Sequence, residues 1–292
     1  MRYCFLSVSL IVLLSVLIAP VSAIEPSHQA KPSQQASPFS VNGFIPPHKP
    51  QQTIHDIRGF HNPPKPIRPS IVIDAGHGGK DPGAISISGY KEKHIALRAA
   101  KLLASELKKT GRYHVSLTRS RDVFLPIRKR YACARKAHAD FFISIHADSH
   151  PSKSVRGLTI YTLSRKASDR EAARLARREN KAAYFDHLPL ADDLDEGIYD
   201  VLVDIAQGGS SRTAQKLAKK LHASCARHKV GKLMQLRSAA LTVLKAPEVP
   251  SLLIELGYLS NKHDERLVQS KAYLNKLAKS LIHALDSYYT KT

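Results

Sequence analysis

The sequence predicts an α/β fold: a single domain with a twisted, mostly parallel β-sheet flanked by helices and preceded by a disordered tether. Two observations carry that expectation. Short continuous apolar runs (IVIDA, DFFISI, PSLLI) have the length of buried strands, and they alternate with longer segments whose apolar residues recur at helical spacing. Strands joined by crossover helices of this length assemble as parallel sheets. With 43% hydrophobic residues in a chain of 292, there is enough apolar material for a sizeable core.

The elements follow in order. IVIDA is the first strand. KHIALRAAKLLASELKKTG places Ile95, Ala99, Leu102, Leu103 and Leu107 on one helical face and stops at Gly111. YHVSLTRS reads as a strand, LPIRKRYACARKAHA as a helix, and DFFISIHAD and RGLTIYTLS as two further strands. SDREAARLARRENKAAYF is a strongly charged helix whose Ala172, Leu175, Ala176 and Ala183 form a thin apolar stripe. GIYDVLVDIA and SSRTAQKLAKKLHASCARH are predicted as two helices, with Gly208 and Gly209 weakening the junction. ALTVLKA and VPSLLIELGYL are expected to be strands, and DERLVQSKAYLNKLAKSLIHALDSYY a closing amphipathic helix.

Residues 1–23 have the pattern of a cleaved secretory signal. A short basic start leads into an apolar run from Phe5 to Ile18, and Val21-Ser22-Ala23 suits a signal peptidase. The run is short of the roughly 20 residues of a spanning helix, so no stable membrane span is expected after cleavage. Residues 24–69 hold ten of the chain's seventeen prolines among Gln, His and Ser, and read as the tether. The domain proper is expected over 70–292. Export to the periplasm leaves Cys133 and Cys225, whose pairing the sequence leaves open, and there is no CxxC zinc site. The formal charge of +21 suits anionic partners. Export and the lack of a nucleic-acid motif argue against nucleic acid, leaving wall polymers and anionic lipid head groups.

Three predicted strands end in a polar residue followed by small ones. IVIDAG leads to His77, FFISI to His146 and PSLLI to Glu255. The carboxyl ends of parallel strands open on one edge, where ligands bind, so these residues are expected to converge. Glu92, in the first turn of the helix after the His77 loop, lies beside the same edge. Taken alone, each has a bland explanation: a histidine as a loop residue, Glu92 as an acid complementing a helix N-terminus, Glu255 as a structural carboxylate. Together, two histidines and a glutamate offer three N/O ligands to zinc with a fourth position open. A carboxylate that does not ligate is then needed to move a proton from water to the leaving nitrogen, a task for which Glu255 is placed. Gly78 and Gly79 are expected to keep side chains from crowding the site.

The segments IVIDAGHGGKDPGA, GYKEKHIAL, LTRSRDVFLPIRKR, ADFFISIHADS, RGLTIY and APEVPSLLIELGYLSN resemble, in order, those of the zinc-dependent N-acetylmuramoyl-L-alanine amidases of the bacterial cell-separation type. The resemblance implies one zinc per chain held by His77, Glu92 and His146, with Glu255 as the catalytic carboxylate. It implies hydrolysis of the amide between N-acetylmuramic acid and the L-alanine of the peptidoglycan stem peptide, in wall remodelling or daughter-cell separation. Such relatives carry a helical insertion that covers the zinc until an activator protein displaces it. The corresponding segment here, near 164–212, contains ADDLDEGIYDVLVDIA, so Glu196, Asp200 and Asp204 are the candidate autoinhibitory acids. An ordinary surface helix with a crossover role is the alternative reading of the same segment. Asp148 and Leu256 stand where the family often has Asn and Thr, which bears on substrate detail. The alternatives are an exported wall-binding protein without catalysis, or another envelope zinc peptidase, although no HExxH helix is present.

Overall fold

The structure, a computed structural model, describes residues 68–181 and 196–290, with side chains in the last helix-rich segment from 208 onward. The predicted signal and nearly all of the predicted tether therefore lie outside the described residues. The described part is a three-layer α/β/α domain around one six-stranded sheet. Its strands are β1 (Ser70–Ala75), β2 (His114–Leu117), β3 (Phe141–His146), β4 (Thr159–Leu163), β5 (Arg237–Ala239) and β6 (Ser251–Glu255). They run in the order β2-β1-β3-β6-β4-β5. All pairings are parallel except β4 against β6, which is antiparallel.

Alternation along the strands divides the core. Ile71, Ile73, Phe141, Ile143, Ile145, Leu252 and Ile254 face one layer, formed by α1 (Glu92–Lys109), α4 (Glu196–Arg227) and α6 (Lys271–Tyr289). Val72, Phe142, Tyr161 and Leu253 face the other, formed by α2 (Ile127–Lys136), α3 (Arg170–Asn180) and a 3-10 turn at Thr242–Leu244. Strands buried on both faces need continuous apolar runs, which is why IVIDA and FFISI show no polar alternation. A short helix, α5 (Lys262–Leu267), capped by the Asn261 side chain, precedes α6.

Three expectations change. The closing segment, expected as one helix, is divided into α5 and α6, with Ser270 capping the second. ALTVLKA is not a strand: its centre is the 3-10 turn, and the edge strand β5 lies just before it at Arg237–Ala239. Backbone donors there are satisfied in the turn, with Leu244 N–H bonded to the Leu241 carbonyl at 3.0 Å. The two helices predicted around Gly208 and Gly209 are one helix of 32 residues. The cost of about 1 kcal/mol per helical glycine is small beside the burial of Ala214, Leu217, Ala218 and Leu221 in the same helix.

The strands that matter for function are neighbours. β1, β3 and β6 lie side by side and parallel, so their carboxyl ends share one edge. Register pairs His146 directly with Glu255, and Ala75 with Ile145. Two residues past Ala75, the chain reaches His77.

Candidate metal centre

At this edge four side chains from four elements meet: His77, Glu92, His146 and Glu179. All are buried, and one ligand atom from each lies within 4.8 Å of all the others. His77 follows β1, Glu92 opens α1, His146 ends β3 and Glu179 lies in the last turn of α3. Nε2 of His77 is 3.1 Å from Oε1 of Glu92 and 3.5 Å from Oε2 of Glu179. Nδ1 of His146 is 3.1 Å from the same Glu92 oxygen and 3.2 Å from the same Glu179 oxygen. The two rings stand edge to face with centroids 4.9 Å apart.

The backbone around His77 is built to hold it there. His77 has φ 58°, a left-handed conformation that costs a non-glycine residue about 1–2 kcal/mol. Arg130 secures it by donating to the carbonyls of Ala75 (2.6 Å) and His77 (2.8 Å). Arg119 donates to the carbonyls of Ala75 (2.9 Å) and Gly76 (2.7 Å). Asp74, fully buried beneath the loop, accepts from Arg130 (3.0 Å), Thr118 (2.5 Å) and Ser144 (2.7 Å). Burial pushes the Asp74 carboxyl up, but Arg130 and the two hydroxyls outweigh it and hold it below its ordinary value. Above the loop, Asp81 accepts from Nδ1 of His77 at 2.8 Å, which leaves Nε2 facing the centre.

Glycines clear the space, though not the pair the sequence pointed to. A Cβ on Gly76 would lie 2.4 Å from the imidazole of His146, and one on Gly83 would lie 2.6 Å from the His77 ring and 2.7 Å from Glu92. Gly78 and Gly79 instead admit the backbone of Val123 and Phe124.

Glu92 is held by backbone donors on both oxygens, from Ala147 at 2.9 Å and Ala84 at 2.8 Å. Burial opposes its charge, yet His77 and His146 hold its carboxyl well below the usual range. His77 is driven the other way: burial pulls it down, and Glu92 and Glu179 raise it well above its ordinary value. Glu255 is fully buried beside this group. One oxygen accepts from the Asp148 N–H at 2.8 Å; the other has no hydrogen-bond partner among the described residues. Burial, then repulsion from Glu92 and Glu179, raises its carboxyl well above the ordinary range.

Sequence reasoning passed over Glu179, and a signal for it existed. Ala172, Leu175 and Ala176 set the buried stripe of α3, and Glu179 continues it at helical spacing, an acid on a buried face. The helix that carries it is fastened to the loop after β3. Arg174 donates to Asp148 at 2.6 Å, Arg178 also pairs with Asp148, and Glu171 meets His150 at 2.8 Å. Arg178 also reaches Glu92 at 3.4 Å. Glu196, Asp200 and Asp204 fall in the first turns of α4, and their side chains lie outside the described residues.

Two imidazoles and two carboxylates, buried with their donor atoms converging, fit a metal ion bound through nitrogen and oxygen. His77 Nε2 makes the same point from the other side. It is a buried polar atom without a hydrogen bond, close to two carboxylate oxygens.

Residues 71–287 match the family described as N-acetylmuramoyl-L-alanine amidase (Amidase_3). The chain belongs to this family. It is 37% identical over 227 residues to N-acetylmuramoyl-L-alanine amidase AmiA of Escherichia coli K12, covering 75% of each protein. To AmiC of Neisseria meningitidis serogroup B it is 36% identical over 227 residues, covering 76% of this chain and 53% of that one. The chain spans about half the length of the AmiC relatives it matches. Among solved structures, the catalytic domain of the amidase CwlV from Bacillus (Paenibacillus) polymyxa var. colistinus superposes with a TM-score of 0.55 at 26% identity, over 76% of this chain and 98% of that one. AmiC2 of Nostoc punctiforme gives a TM-score of 0.55 at 25% identity, over 76% of this chain and 97% of that one.

Proposed function

We propose that this member of the amidase family is a Zn2+-dependent N-acetylmuramoyl-L-alanine amidase, cleaving the amide between the lactyl group of N-acetylmuramic acid and the L-alanine of the stem peptide. The observation that carries it is the convergence of His77, Glu92 and His146 beside a buried Glu255 whose one oxygen is unpartnered. His77, Glu92 and His146 would hold one zinc per chain. Bound zinc supplies the Lewis acidity that polarises a scissile carbonyl and lowers the pKa of water to about 7. Glu255 takes the proton of the attacking water on its free oxygen and delivers it to the departing alanine nitrogen. Its raised proton affinity suits a group that must both accept and give.

Glu179 occupies the open side of the three proposed ligands, where substrate must approach. We read this arrangement as the resting form, in which α3 supplies a carboxylate in place of substrate and an activator protein displaces the helix. The same reading places the mature protein in the periplasm, exported by the signal at 1–23 and acting on peptidoglycan. Among the described residues no helix is long and apolar enough to cross a membrane.

The test is incubation of zinc-loaded protein with purified peptidoglycan and identification of the products by mass. Stem peptides with free amino-terminal L-alanine are expected, lost in Glu255→Gln with zinc retained and increased in Glu179→Ala. Cleaved cross-links would make the protein a peptidase, and binding without products would make it a wall-binding module. Near-normal turnover by Glu255→Gln would remove Glu255 from the chemistry.

A further inference from the structure

The charge of +21 is distributed unevenly. Between Gln207 and Glu248 there is no Asp or Glu, while α4 and the turn after it carry Arg212, Lys216, Lys219, Lys220, Arg227 and Lys229. α6 packs beside α4 in the layer opposite α3 and adds Lys276, Lys279 and His283. Where the two helices meet, a cleft of about 120 Å³ opens to solvent, with the buried Ser224 and Ala284 lining it beside Lys220, Arg227, His283 and Ser287.

The polar groups in this cleft are nearly all donors or bases. Nη1 of Arg227 lies 3.1 Å from Nε2 of His283, so the guanidinium is set against an imidazole rather than a carboxylate. Lys220 donates to the carbonyl and the hydroxyl of Ser287, each at 3.0 Å. His228 sits one residue on, with Nδ1 3.0 Å from the Ser280 hydroxyl and its ring 5.9 Å from that of His283. Burial, then Lys279 and His283, push the His228 imidazole below its ordinary value. Among the described residues no carboxylate pairs with Lys220, Arg227, His228 or His283. The one acid of α6, Asp286, is engaged by Arg112 and Tyr113 on the α1 side. The helix dipole accounts for cations in the last turn of α4. It does not account for Lys220, two turns earlier, or for Lys279 and His283 on a different helix.

We propose that the α4/α6 cleft binds a phosphoryl group, with Arg227 and His283 as its principal donors and Lys220 and His228 beside them. Arg227 spends one N–H on Nε2 of His283, which leaves the remaining guanidinium N–H groups and the other ring nitrogen of His283 to meet a tetrahedral oxyanion. The small side chains of Ser224 and Ala284 leave room for it. The cleft lies on the far side of the sheet from α3, so its occupant does not compete for the metal centre, and the proposal stands without the amidase reading.

The experiment uses zinc-loaded full-length protein, with imidazole NMR resonances of His228 and His283 followed during titration with inorganic phosphate or with chloride at matched ionic strength. Saturable shifts with phosphate alone are expected, weakened about tenfold or more in Arg227→Gln, the scale of losing a charge-assisted hydrogen bond. Zinc content should stay at the wild-type value. Co-sedimentation with vesicles of phosphatidylglycerol and phosphatidylcholine identifies the source: binding lost in Arg227→Gln means a lipid head group, whereas phosphate binding without vesicle binding means a soluble phosphoryl ligand. Equal shifts with chloride and phosphate, or an Arg227→Gln variant that titrates like wild type, would overturn the proposal.

Discussion

Removing the Asp74 carboxylate should unfold the metal centre from beneath. Asp74 is fully buried and is the only carboxylate that pairs, among the described residues, with Arg130, itself 4% exposed. Asp74→Ala leaves that guanidinium uncompensated in the interior, a change that costs about 3–5 kcal/mol for a buried pair. Two hydroxyl hydrogen bonds, from Thr118 and Ser144, are lost as well, at about 1 kcal/mol each. Arg130 keeps its carbonyl acceptors at Leu125, Ala75 and His77, which offsets part of the loss, so a total near 4 kcal/mol is expected. The assay is urea unfolding of chelator-treated protein, alongside Arg130→Met and the double variant. The double variant should cost less than the sum of the singles by about 1–3 kcal/mol, because neither charge is then stranded. A single-variant cost below about 1 kcal/mol, or strict additivity, would refute the claim that this pair carries the loop.

The other expectations can be stated briefly. Because the folded Asp74 pKa lies below the model-compound value of 3.8, its stabilisation is present above that pH and is lost as pH falls through the folded pKa; the acid limb of a stability–pH curve should therefore flatten in Asp74→Asn. Stripping the metal should lower the melting temperature by roughly 5–11 °C relative to protein at a free Zn2+ concentration of about one hundred Kd, since binding to the folded state alone is then worth about 2.7 kcal/mol. An unchanged melting curve would argue against a folded-state site. Gly76→Ala should weaken Zn2+ binding at least about tenfold by displacing the His146 ring, measured by competition with a chromogenic chelator. Its control, Gly209→Ala, has nothing within 4 Å of the new methyl and should raise stability by about 0.5–1 kcal/mol without changing metal affinity. Arg174→Gln should raise basal peptidoglycan cleavage about tenfold by releasing α3 from Asp148, an ion pair of about 1–2 kcal/mol at this partial burial.

The sheet and the edge where the site forms were legible because they depend on local pattern. Continuous apolar runs ending in His146 and Glu255 left few alternatives to adjacent buried strands, and the register places those two residues opposite each other. What the pattern missed needed tertiary context. ALTVLKA has the composition of a strand, but its residues fill the space between α2 and α3 as a turn. Arg119 and Arg130 sit in the quoted stretch LTRSRDVFLPIRKR, where nothing local sets them apart from its other cations. Only the fold reveals that they bond the carbonyls at the end of β1 and in the loop that follows it. Glu179 was hidden by its neighbours: in a helix so rich in Arg and Glu, one acid on the buried face is invisible unless each position is assigned to a face.

If α3 closes this centre, as proposed, the charge arrangement gives the same helix a second effect on Glu255. Glu92, Glu179 and Glu255 lie together in the interior, and repulsion from the first two adds to burial in raising the proton affinity of Glu255. α3 brings Glu179 to the group, but it also brings Arg178, which acts on Glu255 in the opposite direction and less strongly. If α3 withdraws, as the proposed activation requires, Glu255 loses the repulsion of Glu179, the weaker pull of Arg178, and part of its burial. Two of these three changes lower its proton affinity, and the repulsion of Glu179 outweighs the pull of Arg178. Withdrawal of α3 would then move the carboxyl back toward its ordinary range. On the proposed activation, opening the centre would admit substrate and ease the proton affinity of Glu255 in one motion, because Glu179, the acid proposed to block the site, is also one of the charges that raise it.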